Sequence, residues 1–149
     1  MAINFFQEDI KYNLPQKNLS KKWLRHIAQK EGFTISDLNY IFCTDEYLHQ
    51  INIEYLNHDT YTDIITFDNS EEENKIESDI FISIERVKEN SKTEGQEFQK
   101  EILRVLSHGI LHLCGYKDKS KEEALLMRKK EDESIDFFLR LAEQKQSST

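Results

Sequence analysis

Proline occurs once in the chain, at Pro15, and glycine only four times in 149 residues. A chain this poor in both is neither low-complexity nor linker-rich. Its two cysteines, Cys43 and Cys114, are too few for a disulfide framework. Cys43 sits in an apolar strand pattern and Cys114 beside two histidines, and both are expected as buried free thiols. No apolar run approaches the ~20 residues needed to span a bilayer. The N-terminal stretch MAINFFQEDIKYN carries acids where a signal peptide needs a continuous apolar segment. The expectation is a soluble, cytoplasmic protein with no membrane partner. Basic residues are outnumbered by acidic ones, 20 to 28, for a net charge of −8. That excludes a protein that coats nucleic acid by bulk attraction, and no DNA partner is expected.

A local basic groove remains compatible with that total. Lys117, Lys119 and Lys121 are followed by Arg128, Lys129 and Lys130, and Lys17, Lys21, Lys22 and Arg25 cluster near the start. Each cluster reads either as a solvated helix face or as part of a binding surface. In the second reading the six residues from Lys117 to Lys130 form one wall of a groove.

No repeat or linker divides the chain, so residues 1–149 are read as one domain. Ile3, Phe5 and Phe6 begin a strand. A helix from about Leu19 carries Trp23, Leu24 and Ile27 on one face and stops at Gly32. LNYIFCT, residues 38–44, is a second strand, and Thr44 or Asp45 caps the helix of Leu48, Ile51 and Tyr55. IITF (64–67) and DIFISI (79–84) are further strands, joined by the acidic loop DNSEEENKIES, which reads as a mobile hairpin connection. From about Gly95 the period is helical: Phe98, Ile102, Val105, Leu106, Ile110 and Leu113 make a buried stripe ending at Gly115. A last helix begins near Ser120 and carries Leu125, Leu126, Ile135, Phe138 and Leu139, with the tail QKQSST expected to fray. The sum is an α+β fold, a mixed sheet of about four strands flanked by helices.

The stretch HGILHLCGYKD, His108 to Asp118, carries the chemistry. Residues four apart on a helix share a face one turn apart, so His108 and His112 can both reach one ion. A catalytic zinc site needs a third protein ligand and an open fourth position. A glycine just past the last turn can take the left-handed conformation that ends a helix and turns the chain back, which would return Asp118 toward the histidines. The spacing H-x3-H-x2-G-x2-D matches the extended zinc-protease pattern with aspartate in last place. The position after the first histidine, where those proteases carry their general-base glutamate, is Gly109, which argues against peptidase chemistry. The same spacing is compatible with two ordinary helix histidines beside a turn. His26, His49 and His58 have no such partners; His26 and His49 read as surface or polar-core residues.

These residues resemble the YbeY endoribonucleases, the rRNA maturation factors. The family pattern H-G-x-L-H-L-x-G-Y-D-H is matched by His108, Gly109, Leu111, His112, Leu113, Gly115 and Tyr116. A second stretch, N-x-x-Y-R-x-x-D-x-P-T-D-V-L-S-F, is similar to NIEYLNHDTYTDIITF through Asn52, Tyr55, Asp59, Thr62, Asp63 and Phe67. Ser78, Asp79 and Ile80 resemble the family's GDI strand start, and Met127 with Glu131 falls on its M-x-x-x-E. Three positions depart: Asp118 stands where the family has its third histidine, after Lys117 in place of aspartate; Leu56 replaces an arginine; Tyr61 replaces a proline.

The resemblance implies a metal-dependent, single-strand-specific endoribonuclease acting in small-subunit (16S) rRNA 3′-end maturation and ribosome quality control. It implies a monomer that works on rRNA and the small ribosomal subunit. One Zn²⁺ on His108, His112 and Asp118 would act through its bound water. A carboxylate in place of a neutral imidazole makes that water less acidic, or shifts preference toward a harder ion such as Mn²⁺. Asp63 and Asp79 either orient the histidines from behind or serve as a strand-entry turn residue and a cap. His58, Lys117 or Lys119 are the residues nearby in sequence that could stand in for the missing arginine. The rival reading is a non-catalytic ribosome-assembly factor that binds RNA or a ribosomal protein and whose metal is structural.

Overall fold

The order of elements follows from where the apolar period switches between two and 3.6. The computed structural model describes residues 2–147. Among these residues are four strands, β1 (Ala2–Gln7), β2 (Thr34–Cys43), β3 (Ile64–Asp68) and β4 (Lys75–Ser83), and five helices, in the order β-α-β-α-β-β-α-α-α. These are α1 (Lys17–Lys30), α2 (Asp45–Leu56), α3 (Ile84–Glu94), α4 (Phe98–Leu113) and α5 (Lys121–Ser147). The sheet order is β1-β2-β4-β3. The β1–β2 and β2–β4 pairs are parallel and β3–β4 is an antiparallel hairpin, so the sheet is mixed as expected.

Strand alternation gives the sheet two differently covered faces. Leu38, Tyr40 and Phe42 of β2 and Ile76, Ile80 and Ile82 of β4 pack with Trp23, Leu24, Ile102, Leu106 and Ile110 in the main core under α1, α4 and α5. Cys43, Ile65, Phe67 and Phe81 face the other way and join Leu48 and Ile51 of α2 in a smaller cluster. Helix α4 is the most enclosed: Glu101 to Ser107 are all buried, and so are Gly109, Ile110 and Leu111. Full burial of residues such as Ile102, Leu106 and Ile110 contributes about 1.5–3 kcal/mol each. Cross-links fix the helices: the Tyr40 hydroxyl donates to the Leu106 carbonyl at 2.9 Å, and Trp23 Nε1 donates to the Ser134 carbonyl at 2.7 Å.

Local signals set the boundaries. Thr44 caps α2, its hydroxyl accepting from the Tyr47 N–H at 3.2 Å. The structure departs from the sequence reading in four places. Strand β2 begins at Thr34, since Ile35 is buried between exposed Thr34 and Ser36. Strand β4 begins at Lys75, because Ile76 enters the core and the Ser78 hydroxyl donates to the Phe67 carbonyl at 2.6 Å; the expected acidic loop is cut to a short connection. Helix α3 was not expected at all: Ser83 accepts from the Arg86 N–H at 3.1 Å and turns what reads as strand end into a helix cap. The polar tail is helical as far as Ser147, and Ser148 and Thr149 lie outside the described residues.

Candidate metal centre

Helix α4 ends as the glycine predicts. Gly115 has φ +103°, its N–H donates to the His112 carbonyl at 3.0 Å, and the Tyr116 N–H donates to the Leu111 carbonyl at 3.1 Å. This pair of reversed bonds satisfies the last helical carbonyls and turns the chain back over the helix end. The turn delivers Asp118: its Oδ2 lies 3.3 Å from His108 Nε2 and 3.5 Å from His112 Nε2. The two rings are nearly perpendicular, 86° apart with centroids 4.4 Å from each other. One ligand atom from each of the three residues lies within 4.8 Å of the others.

The outward nitrogens are free because the inward ones are engaged. His112 Nδ1 lies 2.8 Å from the Tyr116 carbonyl, and His108 Nδ1 lies 2.6 Å from Glu131 Oε2. A carbonyl can only accept, so His112 carries its proton on Nδ1 and presents a lone pair at Nε2. Glu131 does the same for His108 and is held in turn by Arg104, whose Nη1 donates to Glu131 Oε1 at 3.0 Å and Nη2 to Asp132 Oδ1 at 2.8 Å. The donor set fits a divalent ion. Ligands at ~2.0–2.1 Å on a tetrahedron stand roughly 3.3–3.4 Å apart, close to the spacings that Asp118 makes with both rings. Asp118 is 43% exposed, so the cluster opens to solvent on one side.

Burial opposes protonation of His108, but the Glu131 hydrogen bond and the charges of Glu131, Asp118 and Asp63 outweigh it and raise its pKa above the ordinary value. Burial also raises the carboxyls of Asp63 and Glu101 above the usual range. Both thiols are free and pushed up to about 12 by burial, although Cys114 is only half-buried.

Gly109 points away from the cluster, toward the sheet. A Cβ there would lie 3.0 Å from Ile80 Cδ1 and 3.1 Å from Ile64 Cδ1, so glycine gives α4 a close approach to β3 and β4 that a side chain would match only by displacing these isoleucine ends.

The histidine partners are Glu131 and the Tyr116 carbonyl, and not the two aspartates singled out from the sequence. Asp79 faces the opposite side of the sheet from Ile80 and accepts from Asn39 Nδ2 at 3.0 Å. Asp63 lines the cleft beside His108 but accepts from Asn90 Nδ2 at 3.4 Å, while its carbonyl takes the Ser83 N–H at 3.0 Å. The expected basic wall is also redistributed. Arg128 lines the cleft, whereas Lys130 turns to Glu31 and Glu133, 3.9 Å and 3.8 Å away, in a separate pocket. His26 stacks on Phe137 and His49 pairs with Asp59 at 2.8 Å, both away from the cluster. Glu131, which falls on the family's M-x-x-x-E, and Arg104 are the partners behind His108 that the sequence reading does not assign. The available signal was Arg104 one turn before His108 on the same helix face.

Fold and cluster together define an α+β protein with a helix-borne His-His-Asp set able to hold a metal ion. The family model described as endoribonuclease YbeY matches residues 2–138, and the chain belongs to that family. It is 56% identical over 134 residues to the endoribonuclease YbeY of Cytophaga hutchinsonii, covering 90% of this chain and 94% of the relative. It is 52% identical over 136 residues to that of Flavobacterium johnsoniae, covering 91% and 96%. A solution structure of a Thermotoga maritima protein superposes with a TM-score of 0.68 at 29% identity, covering 99% of this chain and 96% of that one. Membership makes the chain a hydrolase of the nuclease class, in agreement with the peptidase exclusion drawn from Gly109. Among the described residues no helix is long and apolar enough to cross a membrane.

Proposed function

We propose that the chain is a metal-dependent, single-strand-specific endoribonuclease that matures the 3′ end of small-subunit rRNA and acts in ribosome quality control. In this reading it works in the cytoplasm as one monomeric domain over the whole chain, on rRNA and the small ribosomal subunit. His108, His112 and Asp118 hold one Zn²⁺. The observation that carries the reading is the convergence of both Nε2 atoms on Asp118 Oδ2, with both Nδ1 atoms tied back to Glu131 and the Tyr116 carbonyl.

When bound, the ion supplies Lewis acidity, polarising a phosphoryl oxygen and acidifying water. The protein supplies the rest. Glu131 and the Tyr116 carbonyl fix the tautomer and aim of the two rings, which strengthens them as donors. Arg104 donates to Glu131 Oε1 at 3.0 Å, which fixes the carboxylate behind His108. Asp118 adds negative charge that holds a cation but lowers the site's net positive charge, which sets a lower activity near neutral pH than three imidazoles would give.

The rival reading, a non-catalytic assembly factor with a structural metal, draws support from the carboxylates that line the cleft. The experiment that separates the two compares chelator-treated and zinc-reloaded protein on single-stranded and duplex RNA. Zinc-dependent cutting of the single strand alone supports the endoribonuclease. Binding without cutting supports the assembly factor.

A further inference from the structure

We infer that the cleft beside His108 receives the sugar-phosphate backbone of single-stranded RNA and that the guanidinium of Arg128 is its phosphate anchor; this rests on the endoribonuclease reading above. The cleft has a volume of about 300 Å³ and opens between α3, α4 and α5. Its walls carry the carboxylates of Asp63, Glu94, Glu101, Asp118 and Glu131 against two guanidiniums, Arg104 and Arg128. A phosphodiester entering it meets repulsion unless a cation is free to receive it.

The two arginines differ in what they have left to offer. Arg104 is 7% exposed and spends its donors on Glu131 and Asp132 at 3.0 Å and 2.8 Å. It is part of the protein's interior. Arg128 has 48% of its side chain exposed and lies 3.9 Å from Glu131 Oε1 and 4.0 Å from Glu94 Oε1. Both separations are too long for hydrogen bonds, so the two carboxylates hold the guanidinium over the cleft without using up its donors. Arginine's planar fork matches two phosphate oxygens, and a guanidinium with unspent donors among the carboxylates of this cleft is the cation left to receive a phosphate.

Position supports the same assignment. Arg128 stands one helical turn before Glu131 on α5, and Glu131 Oε2 is the atom that touches His108 Nδ1. The guanidinium therefore sits one side chain away from the metal donors, where the phosphate next to the reacting one would pass. Lys130, two residues on, faces the opposite pocket and cannot share this task.

The test compares zinc-loaded wild type with Arg128→Ala, Arg128→Lys and Arg128→Glu. Zinc content, thermal unfolding, binding of a labelled single-stranded oligoribonucleotide and its cleavage are measured across a salt series. One lost charge-assisted contact should weaken binding and raise KM about ten- to hundred-fold in Arg128→Ala. The slope of log affinity against log salt should flatten by about 0.7. Lysine should restore part of the affinity, glutamate should lose more than alanine, and zinc content should stay at the wild-type value in all three. If the wild type binds and cuts but Arg128→Ala matches it in affinity and salt slope, the anchor assignment is overturned while the endoribonuclease reading stands. If the wild type neither binds nor cuts RNA, both are overturned together.

Discussion

The imidazole of His108 and the carboxylate of Glu131, 23 residues apart in sequence, meet through Nδ1 and Oε2 at 2.6 Å. This contact ties the last helix to the motif helix and orients the ring whose Nε2 faces Asp118. Because Glu131 is buried and bound to Arg104, it links the candidate metal cluster to the core.

Glu131→Gln should therefore lower zinc affinity about 10- to 100-fold, the usual effect of removing a partner behind a ligating histidine. Glu131→Ala should in addition leave Arg104 without its buried partner and cost about 3–5 kcal/mol of stability. Asp63→Asn, which removes a cleft carboxylate that touches neither ring, should leave zinc affinity near the wild-type value. Competitive chelator titrations and urea unfolding of the three variants check this ranking.

Gly109→Ala tests the reading of the glycine as a packing residue. The added methyl would meet the side-chain ends of Ile80 and Ile64 at 3.0 and 3.1 Å, and where these isoleucines are held by the packed core such overpacking costs about 1–3 kcal/mol. At roughly 2–4 °C per kcal/mol for a chain of this size, calorimetry should show a clear fall in Tm. An unchanged Tm would mean that α4 does not depend on glycine for its approach to the sheet.

The metal-free protein should lose stability as pH rises from mildly acidic to mildly alkaline. The His108 pKa is raised in the folded state, so its contribution is complete below the ordinary value near 6.5 and is lost as pH climbs through the raised one. The carboxyls of Asp63 and Glu101 are raised by burial, so their ionisation adds a penalty in the same direction. Zinc should reverse the trend, because it binds the deprotonated donors and its affinity grows with pH. Urea midpoints at about pH 5.5 and 7.5, with chelator and with zinc, give opposite signs if this holds.

How much of this was readable in the chain depended on whether a signal was local. The motif helix was legible because Ile102, Leu106 and Ile110 repeat at helical spacing, and Gly115 marked its end by the conformation only glycine takes without strain. Helix α3 was not legible. Its buried positions are only Ile84, Val87 and Ser91, and IFISI continues a strand pattern across the residue that caps it. The three residues that converge could be named because His108, His112 and Asp118 lie within one helix end and its turn. Glu131 could not be given its role, since nothing in its own neighbourhood says that α5 folds back on α4. Asp79, open between orienting the histidines and a structural role, could not be decided for want of register: one step along a strand puts a side chain on the other face of the sheet.

The central claim is that Asp118 completes the metal set, and zinc occupancy of Asp118→Ala against wild type tests it most directly. Two imidazoles hold zinc weakly, so purified Asp118→Ala should lose most of its metal and its RNA cleavage while keeping the wild-type fold, because the residue lies in a surface turn and not in the core. Asp118→His should keep the metal and, by restoring a neutral third donor, raise cleavage near neutral pH. Full zinc occupancy in the alanine variant, with no change in metal or rate in the histidine variant, would contradict the account and reduce Asp118 to a turn residue.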